Sequence, residues 1–243
     1  MSDEATIIFG GRSEIATGIA NELSKLGKTF LVTRKTSDFP KKLLNAEVEL
    51  VQGNLEADSF NDLIKKCARK KLTKVCFAHR TRSNEGDEVK RYIVEVLKVK
   101  HYVEELITLY PGEKKRVIVM TSPASQQVLG DQDFQYHANK AALLSLVRYF
   151  AFRHASDGLI INSLAPGSYV RKARSKIFYR DNPHILKRIQ SLIPGGELTS
   201  IDDISSHVRY LLSDSPSSLN GTHSIMDSGL NNGEASNIER LFR

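Results

Sequence analysis

Short apolar runs with little polar alternation punctuate the chain at regular intervals. Ala5-Thr6-Ile7-Ile8-Phe9 is the first. Thr29-Phe30-Leu31-Val32, Val48-Glu49-Leu50-Val51, Lys74-Val75-Cys76-Phe77-Ala78, Arg116-Val117-Ile118-Val119-Met120, Leu159-Ile160-Ile161-Asn162 and Thr222-His223-Ser224-Ile225-Met226 follow. Runs of this length and β-branched content predict strands buried on both faces. Between them the spacing changes to that of helices. Ile15, Ile19, Leu23 and Leu26 recur at steps of four, four and three, with Ser13 placed to cap the helix and Gly27 to end it. A second helical stretch carries Val89, Ile93, Val96 and Leu97, and a long one runs from about Gln135 to His154. Strands alternating with helices imply a parallel sheet covered on both faces. The expected architecture is a Rossmann-like, doubly wound α/β fold of about seven strands in three layers, α/β/α.

The chain has 243 residues, and α/β domains of that size run undivided, so a single domain over 1–243 is expected. Apolar residues make up 40% and charged residues 26%, which is ordinary globular usage. Met1-Ser2-Asp3-Glu4 is acidic and leads into no signal-like apolar segment. The apolar runs are far shorter than the roughly 20 residues a membrane span needs. Two cysteines, Cys67 and Cys76, build no disulfide framework, and no Cys/His grouping has metal-ligand spacing, so no metal is expected. A reducing, cytoplasmic compartment is the simple reading. The net charge of +7 points to a polyanionic partner: a nucleotide cofactor, an acidic substrate or nucleic acid. With no helix-turn-helix, zinc finger or RNA-binding aromatic motif, nucleic acid is the least favoured of the three.

Gly10-Gly11 lies at the turn from the first strand into the first helix. In a doubly wound sheet this is where backbone N–H groups and the helix dipole meet a pyrophosphate. Arg34 follows the second strand, where a guanidinium suits the 2′-phosphate of NADP better than the bare ribose of NAD, and Arg12 is placed to reach the same phosphate. Tyr136 and Lys140 lie four apart and share a helix face. A tyrosine phenol ionises near pH 10. A lysine cation one turn away favours the ionised form, which lets a phenol protonate an alkoxide near neutral pH. Ser122, fourteen residues before Tyr136, stands at the end of the fifth strand, where a hydroxyl can orient a substrate oxygen.

Taken in order, Gly10, Asn54-Leu55, Ser122, Tyr136 with Lys140, Asn162 with Pro166-Gly167, and Asp227-Ser228-Gly229 resemble the short-chain dehydrogenase/reductase family over almost the whole chain. The stretch from Ser13 to Ala20 is similar to the first helix of enoyl-acyl-carrier-protein reductases, a branch of that superfamily. The resemblance implies an NAD(P)-dependent oxidoreductase, NADP being favoured, that reduces a carbonyl or oxidises an alcohol. It implies that Tyr136 is the acid/base, that Lys140 tunes it and holds the nicotinamide ribose, and that Ser122 orients the substrate oxygen. It assigns the cofactor to Gly10, Arg12, Ser13 and Ile15 at the turn, Arg34, Asn54 and Leu55 at the adenosine end, and Ala78, Tyr136, Lys140, Pro166 and Gly167 along the rest. A homodimer or homotetramer is implied as well.

The sequence departs from the family pattern in several places. Glu14 and Ala16 replace the second and third glycines of the turn. Ala78-His79-Arg80-Thr81 replaces the motif after strand four, and no asparagine lies between Asn84 and Asn139 to complete a proton relay. Arg171 stands near the place of a nicotinamide-holding threonine. Arg80 and Arg82 follow strand four, and Arg171, Lys172, Arg174, Lys176, Arg180, Lys187 and Arg188 crowd a segment at about 169–198 that in the family closes over the substrate. A basic lid would attract an acyl carrier, a nucleotide-linked group or an acidic sugar. A solvated helix face is the alternative reading. The departures also leave open a catalytically degenerate, nucleotide-binding regulator or partner subunit.

Overall fold

Each of the seven apolar runs forms a strand. In the computed structural model they are β1 (Glu4–Phe9), β2 (Thr29–Thr33), β3 (Val48–Gln52), β4 (Lys71–Phe77), β5 (Lys115–Met120), β6 (Leu159–Pro166) and, last in the sheet, β9 (His223–Met226). The structure describes residues 4–233 except 12, 38, 69, 82–86 and 168, and of residue 174 only the backbone. All seven strands pair in parallel, in the order β3-β2-β1-β4-β5-β6-β9. The order reverses between β1 and β4, the switch point where doubly wound sheets bind their ligands.

The two-residue period of a strand sorts its side chains to the two faces. Ile7 and Phe9 of β1, Val75 and Phe77 of β4, and Val117 and Val119 of β5 enter one core. Helices α2 (Phe60–Lys66), α4 (Lys98–Leu109) and α5 (Phe134–Arg153) cover it with Phe60, Leu63, Tyr102, Leu106, Val147 and Phe150. Ile8, Cys76, Ile118 and Met120 enter the other, under α1 (Glu14–Leu23) and α8 (Ile201–Ser213), through Ile19, Leu23, Ile204 and Val208. Both cysteines are buried and free. Burial pushes each thiol up to about 12. No helix among the described residues is long and apolar enough to cross a membrane.

Two local expectations need correcting. Ser13 occupies the N-cap position of α1, but its side chain accepts no capping bond. That helix ends at Leu23 with Ser24 as its C-cap, so Gly27 belongs to the following turn and not to the helix end. Val89 and Ile93 fall on the second helical stretch, as their spacing predicts. They lie on α3 (Glu88–Tyr92) and the π-helical turn Ile93–Leu97 that joins it to α4, and both are exposed, while Arg91 and Glu95 face inward. The segment after β6 contains a short parallel pair, β7 (Val170–Arg171) with β8 (Thr199–Ser200), and two helices between them, α6 (Ala173–Asp181) and α7 (Pro183–Leu192).

Candidate active site

The carboxyl ends of the strands place the expected residues in a row. Asn54 and Leu55 follow β3, Arg34 follows β2, Gly10 follows β1, Ala78 follows β4, Ser122 follows β5, and Pro166 ends β6 beside Gly167. Adjacent strands lie about 4.8 Å apart, so the five steps from β3 to β6 span roughly 24 Å, enough for an extended dinucleotide.

At the turn after β1, a Cβ on Gly10 would lie 2.3 Å from the Ala16 methyl, and Gly11 has φ +53°. The turn therefore needs glycine to bring α1 against β1 and β4, whose ends are joined by a 2.6 Å bond from Ala78 N to Phe9 O. Because Ser13 does not cap α1, its first-turn amides face the turn without a side-chain acceptor, the chemistry a pyrophosphate fits. By contrast α2, α5 and α8 are capped by Ser59, Asp133 and Ser200. Arg12 lies outside the described residues, as does Arg82. Ile15 is half-buried on the first turn of α1. Glu14 turns its carboxylate toward the 169–198 segment, where Oε2 accepts from Ala173 N at 2.6 Å, at the N-terminus of α6.

At the other end of the row, α5 presents Tyr136 and Lys140. Lys140 is buried and donates from Nζ to Met120 O at 3.2 Å, which ties it to the end of β5 two residues before Ser122. Its ammonium is 5.7 Å from the centre of the Tyr136 ring. Burial holds the Lys140 pKa below the ordinary lysine range, Glu95 opposes that shift, and Arg80 adds to it. Ser122 caps the short turn Pro123–Ser125, which packs against α5, and its Oγ accepts from Ala124 N at 3.3 Å. The first turn of α5 is fixed by Asp133, which accepts from Tyr136 N at 2.7 Å and pairs with the buried Arg91 through bonds of 2.8 and 3.2 Å.

Arg91, Glu95 and Asn139 were not singled out from the sequence. Glu95 is buried; Oε1 accepts from Thr81 N at 2.7 Å and Oε2 from Asn139 Nδ2 at 3.2 Å. It occupies the region where the family pattern has its relay asparagine, and through Thr81 it is bonded to the loop after β4. A signal was present: Arg91, Glu95, Val99, Tyr102 or Val103, and Leu106 form one helical stripe whose first two members are charged.

Pro166-Gly167 meets Asp227 directly. A Cβ on Gly167 would lie 2.8 Å from that of Asp227, and Gly167 N donates to Met226 O at 2.8 Å. Asp227 closes its own turn by accepting from Gly229 N and Asn231 N. Asn54 is exposed and accepts from Glu56 N, while Leu55 packs on the α4 side of the sheet. These two stand four strands from β5, at the far end of the row.

His137 and His79 are held by bonds to main-chain groups. His137 accepts from Leu129 N through Nε2 and donates from Nδ1 to Asp133 O. His79 donates from Nε2 to Val94 O in the π-helical turn, and burial pushes its pKa down to about 4, with Lys140 adding to the shift. Burial lowers His207 and His223 as well. An unfolded chain takes up these protons near pH 6.5, whereas the folded chain holds His79 neutral down to about 4. Stability is therefore expected to be complete above pH 6.5 and, through His79, to fall by up to about 1.4 kcal/mol per pH unit as pH drops from 6.5 toward 4. Thermal melts between pH 7.5 and 5 check this; a constant Tm over that range would contradict it.

The family model described as enoyl-(acyl carrier protein) reductase matches residues 94–231, more than half of the chain. The chain belongs to the short-chain dehydrogenase/reductase family, whose members are NAD(P)-binding oxidoreductases. Oxidoreductase UcpA of Salmonella typhimurium is 29% identical over 119 residues, 47% of this chain and 45% of its own length. The chain thus matches about half the length of that relative. A Bacillus subtilis protein named "Probable 2,4-dienoyl-CoA reductase [(2E)-enoyl-CoA-producing]" is 25% identical over 94% of this chain and 97% of its own. Among solved structures, a short-chain dehydrogenase/reductase family oxidoreductase from Burkholderia thailandensis aligns with a TM-score of 0.78 at 18% identity, over 99% of this chain and 98% of its own. ElxO with NADPH bound aligns at 0.80 with 16% identity, over 96% of this chain and the whole of its own. Both establish the likeness in fold.

Proposed function

We propose that this chain is a nicotinamide-dependent oxidoreductase acting on a carbonyl/alcohol pair. The observation that carries the reading is Tyr136 held beside a buried Lys140 that is itself pinned to the end of β5, next to Ser122. When bound, the nicotinamide supplies or accepts the hydride. Ser122 donates to the substrate oxygen and orients it. In the reducing direction Tyr136 passes its phenolic proton to that oxygen as negative charge develops there. Lys140 stabilises the tyrosinate left behind and holds the nicotinamide ribose. Gly10, Ser13 and Ile15 at the turn receive the pyrophosphate, Ala78, Pro166 and Gly167 line the path toward the nicotinamide, and Asn54 and Leu55 flank the adenine. The 169–198 segment is the lid, fastened to the phosphate turn by Glu14, and its cations favour an anionic substrate. Exposed Phe134, Tyr149 and Phe152 on α5 support a homo-oligomer built through that helix.

Arg34, exposed at the end of β2, together with Arg12 selects NADPH through its 2′-phosphate. NADPH is expected to bind about tenfold or more tightly than NADH, because charge-assisted bonds to a phosphate have no counterpart on the bare ribose. Calorimetry or the cofactor's own fluorescence measures this, and Arg34→Ser should remove most of the difference. Equal affinities would overturn the NADP assignment. Binding of neither cofactor would transfer the lead to the degenerate, non-catalytic reading.

A further inference from the structure

Arg80 follows β4 with its guanidinium carbon 4.3 Å from the centre of the Tyr136 ring. Its Nη2 donates to Gln132 Oε1 at 2.6 Å, a neutral acceptor that fixes the guanidinium without neutralising it. Among the described residues no carboxylate pairs with Arg80. The nearby Asp133 is engaged by Arg91 and by the Tyr136 amide. Two cations therefore attend one phenol, and they differ in access. Lys140 is buried and tied to the main chain, whereas Arg80 is exposed and keeps its remaining N–H donors for whatever enters.

We propose that Arg80 determines specificity by pairing with a carboxylate carried by the substrate close to the reacting carbonyl, so that the substrate class is a short oxo acid and its hydroxy-acid partner. The proposal rests on the oxidoreductase reading above. The reacting oxygen has to reach the hydroxyl at the rim of the Tyr136 ring, while the guanidinium covers the face of that ring. A molecule that satisfies both groups carries its anion within a few bonds of its carbonyl. An acyl chain on a carrier would hold its phosphate far from this point. A planar guanidinium offers a carboxylate two parallel N–H bonds, a match that an ammonium lacks. A carboxylate at this point also relieves the mutual repulsion of two cations beside one ring.

The test is steady-state NADPH oxidation with 2-oxo and 3-oxo carboxylates, each paired with its methyl ester, for the wild type, Arg80→Met and Arg80→Lys. The wild type should favour the acid over its ester in kcat/KM by roughly 10- to 100-fold, as expected for hydrogen bonds to a charged group. In Arg80→Met the acid-to-ester ratio should fall to near one, mainly through KM. Arg80→Lys should retain part of the preference, because charge remains without the fork. A wild type that treats acid and ester alike, or an undiminished ratio in Arg80→Met, overturns the proposal. So does a loss of NADPH affinity in Arg80→Met as large as the loss in acid kcat/KM, which would assign the guanidinium to the cofactor. Turnover of no member of the panel, acid or ester, overturns this proposal, whereas the oxidoreductase reading is decided separately by NADPH binding and by Tyr136→Phe. Arg80 is exposed, so a thermal melt of Arg80→Met should match the wild type.

Discussion

Tyr136→Phe should lower turnover by about 10²- to 10⁴-fold, the usual worth of a positioned proton donor. The substitution removes one hydroxyl and keeps the ring. The ring is almost fully enclosed, with Arg80 stacked on it, and a phenyl face holds a guanidinium in the same way. The fold should therefore survive with an unchanged melting temperature, and NADPH affinity should drop by no more than a few-fold. Single-turnover measurement of hydride transfer with saturating cofactor separates chemistry from binding. A Phe variant that turned over at the wild-type rate would place the proton donor elsewhere and remove the central assignment.

The second large effect is expected at Asp133. Its carboxylate does two things at once: it caps α5 through Tyr136 N, and it neutralises Arg91, whose side chain is 6% exposed. These same contacts, Arg91 first, hold its carboxyl below the usual range. Asp133→Ala removes a cap worth about 1 kcal/mol and strands a cation that has left water. Breaking a fully enclosed pair costs about 3–5 kcal/mol. Asp133 itself is 43% exposed, so solvent screens part of the interaction, and a total loss of about 2–4 kcal/mol is expected. Urea denaturation measures it. Adding Arg91→Met to Asp133→Ala should recover part of the loss by deleting the stranded charge. Fully additive losses in the double variant would show that the two residues do not act as a pair.

The strands were legible because a parallel strand covered on both faces has no polar period to obscure it. Val117-Ile118-Val119 could belong to little else. Tyr136 and Lys140 were legible because their spacing is local to one helix. What escaped was set by tertiary contacts. Arg91 and Glu95 occupy positions that composition alone would give to solvent, and they face inward because each meets a partner from a different element: Asp133, Thr81 and Asn139. The π-helical turn leaves no mark in propensity. Ser13 has the right identity for a cap and does not make the bond. A carboxylate beside a phosphate turn repels an anion, and only the fold shows that Glu14 is turned away to accept from Ala173 N, far along the chain. Arg80 was legible as a cation after β4, but its seat on the Tyr136 ring depends on how a loop and a helix start come together.

The burial of Cys67 and Cys76 gives the molecule a chemically silent surface. With both thiols enclosed and pushed up to about 12, little thiolate exists to meet an alkylating reagent near neutral pH. The chain also contains no tryptophan. A single cysteine or tryptophan introduced at an exposed position of α6, such as Ile177, would stand against almost no background. Movements of the segment that Glu14 fastens can then be followed one position at a time, in a protein whose native residues contribute neither a competing label nor a competing indole emission.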